Sequence, residues 1–213
     1  MASGMCRRDD ERPSARRHQC AIGAERLPGA EERDALFRVV AATLTDAGYT
    51  WIGLDLFVLD TDELALAHAD RRLHCNVIGY TATPVSHVLG FGNGATGDVD
   101  DTVVCNEALQ PTWQEMIVAG VFPVAYAHRR SPDEARRCNA IAHLLCNLEL
   151  PARLVADGLD DAYARLRRLA ADGLVAEDGD RIAVTPSGRF ALDRLCAVLH
   201  PAATRDGSAE GVQ

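Results

Sequence analysis

Apolar and polar residues follow two rhythms along this chain, and the points where the rhythm changes mark its predicted elements. Residues 1–17 are charged and carry no apolar period, so they are expected to be disordered. Pro28-Gly29 opens a predicted helix of about 18 residues. Glu31 and Glu32 sit in its first turn, Leu36, Phe37, Val40 and Leu44 form the stripe expected to be buried, and Gly48 ends it. The run Trp51 to Val58 alternates cleanly and predicts one strand, with Ile52, Leu54, Leu56 and Val58 on one face and Gly53 and Asp55 on the other. A helix is expected at 61–72, begun by Asp60 with Glu63 three residues on, and then two short strands, Asn76 to Thr81 and His87 to Phe91. Helix between strands points to βαβ units with parallel pairing, as in a piece of a barrel.

From Ser131 the pattern turns helical. Ser131-Pro132-Asp133-Glu134 combines an N-cap serine, an N1 proline and an N3 glutamate ahead of an apolar-periodic run to Leu148. A short helix follows Pro151, and another at 160–172 carries Tyr163, Leu166, Leu169 and Ala170 on one side and closes at Gly173. Leu174 to Glu177 and Arg181 to Val184 flank the turn Asp178-Gly179-Asp180, a hairpin signal. Thr185-Pro186 starts a last helix through Phe190, Leu192, Leu195 and Leu199. Helix, helix, hairpin, helix is the order of a winged-helix unit. Residues 201–213 are small and polar and are expected to be disordered.

Length and composition narrow the class. With 213 residues, 47% of them hydrophobic, the chain can bury a core and suits one body with a small appended unit. No apolar run reaches the roughly 18 residues of a membrane span, and the start lacks a signal core, so a cytoplasmic location is expected. The net charge is −9 and every one of the 22 basic residues is arginine, which excludes lysine Schiff bases and a phosphate-loop lysine. Seven cysteines, at 6, 20, 75, 105, 138, 146 and 196, make an odd count with no Cys-x-x-Cys spacing. The nearest grouping, Cys138, His143 and Cys146, lies within a helical run and reads as a packed face rather than a metal site.

Several short motifs in one order carry a family resemblance: Gly48-Tyr49-Thr50-Trp51-Ile52-Gly53-Leu54-Asp55, Asp62-Glu63-Leu64-Ala65, Arg72-Leu73-His74, Asn76, and Gly79-Tyr80-Thr81. They continue through Leu89-Gly90, Gly92, Leu145-Cys146-Asn147, Asp172-Gly173-Leu174, Val184-Thr185 and Gly188-Arg189. Across residues 18–200 the chain resembles the C-terminal half of the oxygen-independent coproporphyrinogen III dehydrogenases (oxidases), radical S-adenosylmethionine enzymes. The resemblance implies an α/β fold: the C-terminal strands and helices of a partial (β/α) barrel at 18–125, then a mainly helical domain at 131–200 with a winged-helix-like unit. The complete enzymes hold a [4Fe-4S] cluster and S-adenosylmethionine, and convert two propionates of coproporphyrinogen III into the vinyl groups of protoporphyrinogen IX. Their cluster rests on thiolates spaced Cys-x3-Cys-x2-Cys, a spacing that does not occur in these 213 residues.

The resemblance also supplies candidate site residues. Gly92 and Thr96 match the loop that touches S-adenosylmethionine, although Thr96 stands where the family has Ile, and Asn93 and Gly94 replace Val and Ser. Asp55, Ile78 and Tyr80 match the substrate side. The family's Phe-Gln is here Val77-Ile78, and an apolar side chain cannot replace an amide's hydrogen bonds. No catalytic residue and no metal ligand is assigned, and no cofactor is expected on this chain alone. For each candidate a plainer role is open: an internally satisfied carboxylate for Asp55, packing for Tyr80, a flexible turn for the glycines, and helix capping for His74. Three functions follow in order: a part of the dehydrogenase that is inactive alone, with a cluster-bearing half or self-association as its partner; a porphyrin- or haem-binding module; and a winged-helix DNA-binding regulator. The last is weakened by Asp160, Asp161 and Asp172 around the helix bearing Arg165, Arg167 and Arg168, and by Asp178 and Asp180 on the wing.

Overall fold

The structure, a computed structural model, describes residues 27–155 and 158–200; the segments expected to be disordered lie outside them. Helix α1 (Ala30–Asp46) begins after Gly29, and Gly48, at φ 88°, turns the chain into β1 (Tyr49–Gly53). The alternating run is a hairpin and not one strand. β1 pairs antiparallel with β2 (Leu56–Leu59) around Leu54-Asp55, with Leu54 at φ 46°. The alternation continues through the turn, so the sequence pattern does not reveal it. Gly53 is required there, because a Cβ would stand 2.5 Å from the Tyr80 hydroxyl and 3.2 Å from the Leu145 carbonyl oxygen.

Both faces of this hairpin are covered. Ile52 is fully buried with Ala65, Ala67, Leu73 and Cys146. On the other face Trp51 stacks on Phe57 at 5.5 Å and meets Phe37 of α1 at 5.6 Å and Phe190 at 5.0 Å. Helix α1 therefore docks through Phe37 and the buried Ala41, while Leu36 and Val40, expected to be buried, stay 53% and 45% exposed.

Helix α2 (Glu63–Ala69) is capped by Asp62, not Asp60: the Asp62 carboxylate accepts from Leu64 N. His68, not His74, is the histidine of its last turn, and its Nδ1 donates to Cys146 O at 3.2 Å. The expected strand at 76–81 is another hairpin, β3 (His74–Asn76) with β4 (Gly79–Thr81), turning at Val77-Ile78. The expected strand at 87–91 is reduced to one bridge, Val88 to Asp98.

Next comes a unit that the pattern did not foretell. β5 (Thr96–Val99), β6 (Thr102–Asn106) and β7 (Val124–Arg129) form an antiparallel sheet in the order β5-β6-β7, with α3 (Gln110–Val118) between β6 and β7. From Thr81 to Arg130 only Gly97 and Pro123 are buried. Every strand pair among the described residues is antiparallel, so the expected parallel pairing is replaced by four hairpins and by two longer connections, β6 to β7 through α3 and β8 to β10.

The main core lies C-terminal. Helix α4 (Pro132–Asn147) starts at the expected capping box, with Ser131 Oγ accepting from Glu134 N and the Glu134 carboxylate accepting from Ser131 N. It ends at Leu148, φ 55°, in a left-handed cap. β8 (Glu149–Pro151), a 3-10 turn (Ala152–Leu154), α5 (Asp160–Arg168), β9 (Val175–Asp178) and β10 (Arg181–Val184) follow, and the three strands form a sheet in the order β8-β10-β9. The expected last helix is broken into α6 (Pro186–Arg189), capped by Thr185, and α7 (Leu192–Leu199). Leu144, Leu150, Leu159, Leu166, Ile182 and Leu195 are fully buried in this core. Partly buried Cys75 and Tyr80 pack on both this core and the Ile52 cluster.

Candidate functional site

The motifs that carry the resemblance meet in space, and most of them do packing. Tyr80 packs its hydroxyl over Gly53 and donates to Leu145 O at 3.4 Å, and burial pushes its ionisation upward. Gly188 lies so close to Leu174 that a Cβ would stand 1.8 Å from its carbonyl oxygen. Next to it, Arg189 donates to Trp51 O and stacks over the Trp51 ring at 4.2 Å, which ties β1 to the C-terminal helices. Desolvation lowers this half-buried guanidinium's pKa.

Beside this joint opens a cleft of about 230 Å³, walled by Leu54, Asn76, Ser86, Asp98, Arg130 and Cys138 among others. Its polar anchor is the Asp98–Arg130 pair, bidentate at 2.9 and 2.6 Å, with side chains only 23% and 9% exposed. The Asp98 hydrogen bond raises the pKa of Arg130, so the guanidinium stays charged in a fixed ionic strut. Asn76 accepts from Ile78 N at 2.9 Å, which shapes the β3–β4 turn, and its buried Nδ2 has no partner among the described residues. The cleft thus offers amide, hydroxyl and thiol groups against the apolar wall of Ile141 and Leu145.

None of the five residues singled out from the sequence lines this cleft. Asp55 is exposed at the β1–β2 turn, next to the lining Leu54, so it does not point inward from a strand face. Ile78 is 70% exposed on the β3–β4 turn, two residues from Asn76. Gly92 lies in a loop held by Asn106, whose Nδ2 donates to Gly92 O at 2.9 Å and to Gly90 O at 3.3 Å. Thr96 begins β5 with its Oγ1 3.6 Å from Cys105 Sγ, two residues before Asp98. Of the loop's glycines, Gly90 and Gly97 are needed for close backbone packing, whereas Gly92 faces open space at φ 103°. Asp98 and Arg130 escaped the sequence reading because nothing local links two residues 32 positions apart.

The described thiols do not converge as an iron-sulfur cluster requires. The described cysteines are 75, 105, 138, 146 and 196, and no three His, Cys, Asp or Glu side chains among the described residues could hold a metal ion. Burial pushes Cys75 up to about 11 and Cys146 to about 12, whereas iron ligation needs thiolates.

No protein-family model matches the sequence. The chain is 34% identical over 185 residues to the oxygen-independent coproporphyrinogen III oxidase of Synechocystis sp., covering 81% of this chain and 40% of that protein. It is 31% identical over 194 residues to the enzyme of the same name from Bradyrhizobium diazoefficiens, covering 88% and 43%. Among solved structures it superposes on the Escherichia coli coproporphyrinogen III oxidase, described as a radical SAM enzyme, with a TM-score of 0.75 at 29% identity, over 85% of this chain and 44% of that one. The chain spans about two fifths of the length of these relatives. In sequence and in fold, therefore, it resembles the C-terminal part of the oxygen-independent coproporphyrinogen III oxidases.

Proposed function

We propose that this chain is the C-terminal part of an oxygen-independent coproporphyrinogen III oxidase, acting in porphyrin synthesis in the cytoplasm and inactive until a cluster-bearing portion is supplied. One observation carries this reading: the similarity runs through more than four fifths of the chain but only about two fifths of each relative named above. The burial that favours the neutral thiols of Cys75 and Cys146 agrees with it. In this reading residues 18–125 complete one side of a partial barrel and residues 131–200 form a winged-helix-like unit that packs on it. Gly92 and Thr96 would contact S-adenosylmethionine and Asp55 and Ile78 the porphyrinogen, while Tyr80 positions β4 from within the core. The uncovered apolar side chains of the β5–β7 unit, with Phe91, Val118 and Phe122 each more than 85% exposed, would be covered by the missing portion or by self-association.

DNA binding is not favoured. Arg165 is paired with Asp161 at 3.3 Å and Arg167 with Glu177 at 2.6 Å, so two of the three arginines on the helix that would enter a groove are already engaged.

The proposal is tested by anaerobic reconstitution of the purified chain with iron and sulfide. The expected result is no stoichiometric [4Fe-4S] species. A brown protein whose charge-transfer absorbance disappears on Cys→Ala substitution would contradict it.

A further inference from the structure

A second cleft, about 570 Å³, shares only Cys75, Asn139 and Ala142 with the first and opens toward β8 and β10. The relatives' names say nothing of it, and no residue assigned above to the porphyrinogen or S-adenosylmethionine lines it. Its wall is built around one carboxylate. Glu149, only 13% exposed, accepts from Arg71 and, at 3.1 Å, from Arg181, so two guanidinium groups from distant parts of the chain are fixed side by side. A planar guanidinium has five N–H donors: Arg71 engages Glu149 through Nη2 alone, whereas Arg181 also gives Nε and Nη2 to Asp178. Arg153, from the 3-10 turn, is a third guanidinium on the same wall, exposed and in no ion pair among the described residues.

The charges facing the cleft are Arg71, Arg153 and Arg181 against Glu149 and Asp180. Arg181 is also held by Asp178, just outside the lining, so the cationic donors left free are those of Arg71 and Arg153, in a chain whose overall charge is −9. Non-specific attraction to the molecule as a whole cannot hold an anion here, so a bound anion needs this local arrangement. The neutral donors on the wall have the same polarity. Asn147 Nδ2 lies 3.4 Å from His143 Nδ1 and donates to His143 O at 3.1 Å. An amide N–H can only donate, so Nδ1 is the acceptor and the ring proton sits on Nε2. That Nε2 is buried and has no hydrogen-bond partner among the described residues. Burial lowers the pKa of His143, so the ring stays neutral beside the arginines.

We propose that this cleft binds a small di- or trianion bearing carboxylate or phosphate groups, held chiefly by Arg153 and Arg71, with Arg181 fixed beside them on Glu149 and Asp178. Fixing two guanidinium groups on Glu149 before the ligand arrives lowers the ordering cost of binding. The inference stands on the cleft alone and does not depend on the enzymatic reading.

Titration of the full chain by calorimetry at constant ionic strength tests it, with citrate and inorganic phosphate as the two probes. The expected result is saturable binding of at least one probe with a Kd below about 1 mM, weakened at least about tenfold by Arg153→Ala and partly restored by Arg153→Lys. Stronger citrate binding would identify clustered carboxylates as the ligand chemistry, and stronger phosphate binding would identify a phosphoryl group. Arg194→Ala is the control, because that arginine pairs with Asp172 outside the cleft. A ring-proton NMR shift of His143 should accompany binding. Absence of saturation with both probes up to about 10 mM, or equal weakening by Arg153→Ala and Arg194→Ala, overturns the proposal.

Discussion

Asp98 and Arg130 hold the polar side of the first cleft, and their contribution shows what single residues do in this fold. The Arg130 side chain is 9% exposed, so removing its partner leaves a nearly buried cation without compensation. We expect Asp98→Asn to lower stability by about 3 kcal/mol, read as a fall in the urea midpoint with unchanged slope. A change below about 0.5 kcal/mol would show that water or another residue already satisfies the guanidinium. This pair was not legible in the sequence, because a contact between a strand residue and a loop residue after another strand has no local period. Tyr80, by contrast, was partly legible: packing was one of its two readings, and its hydroxyl lies against Gly53 and Leu145. The same motif residues that carry the resemblance therefore report on the joint between β1, β4 and α4 more than on chemistry.

Among the elements, legibility followed length and capping. Helix α4 was readable from Ser131 to Leu148 because the cap, the first-turn acids and the apolar period all agree, and the cap itself is worth about 1 kcal/mol. The hairpin β1–β2 was misread as one strand because its two-residue turn keeps the alternation in phase. The β5-β6-β7 sheet is not legible in the sequence because its strands are four to six residues long, half-buried along β5 and β6 and exposed along β7, and so leave no clear apolar period. Helix α1 covers only half of its expected stripe: Phe37 and Leu44 are half-buried on the face of Ala41, whereas Leu36 and Val40 stay exposed because the aromatic contacts of Phe37 set the docking face. Leu144, fully buried, and Leu36, 53% exposed, test this directly. Leu144→Ala should cost about 2–5 kcal/mol, and Leu36→Ala should stay within about 0.5 kcal/mol in thermal or urea unfolding. Comparable losses at the two positions would mean that the stripe on α1 is buried after all.

The whole molecule carries its titratable burden in the core where its two clusters meet. Cys75 and Cys146 are pushed by burial from about 9 up to about 11 and about 12, so the fold favours their neutral forms. In the unfolded chain they ionise near 9 and release protons first. Their contribution is fully present below about pH 9 and is lost as pH rises through 9 to 12. His68 and His143, lowered from 6.5 by burial, act at the other end: stability is present above about pH 6.5 and falls as the pH drops below it. Unfolding midpoints recorded from pH 7 to 11 should decline above about pH 9, and the alkaline decline should shrink in Cys75→Ala. A pH-independent midpoint over that range would mean that the thiols are already solvated.

The same scale decides the functional account. The likeness to full-length oxidases covers about two fifths of their length, and from Thr81 to Arg130 the chain buries only Gly97 and Pro123. Both facts fit a body that works against further protein. The most direct test is anaerobic turnover of coproporphyrinogen III with S-adenosylmethionine and a reductant, measured for the purified chain alone and after adding a cluster-loaded preparation of the missing portion. We predict no protoporphyrinogen IX from the chain alone and its appearance when the two are combined. Turnover by the chain alone, or none from the combined proteins once their association is verified, would contradict the account.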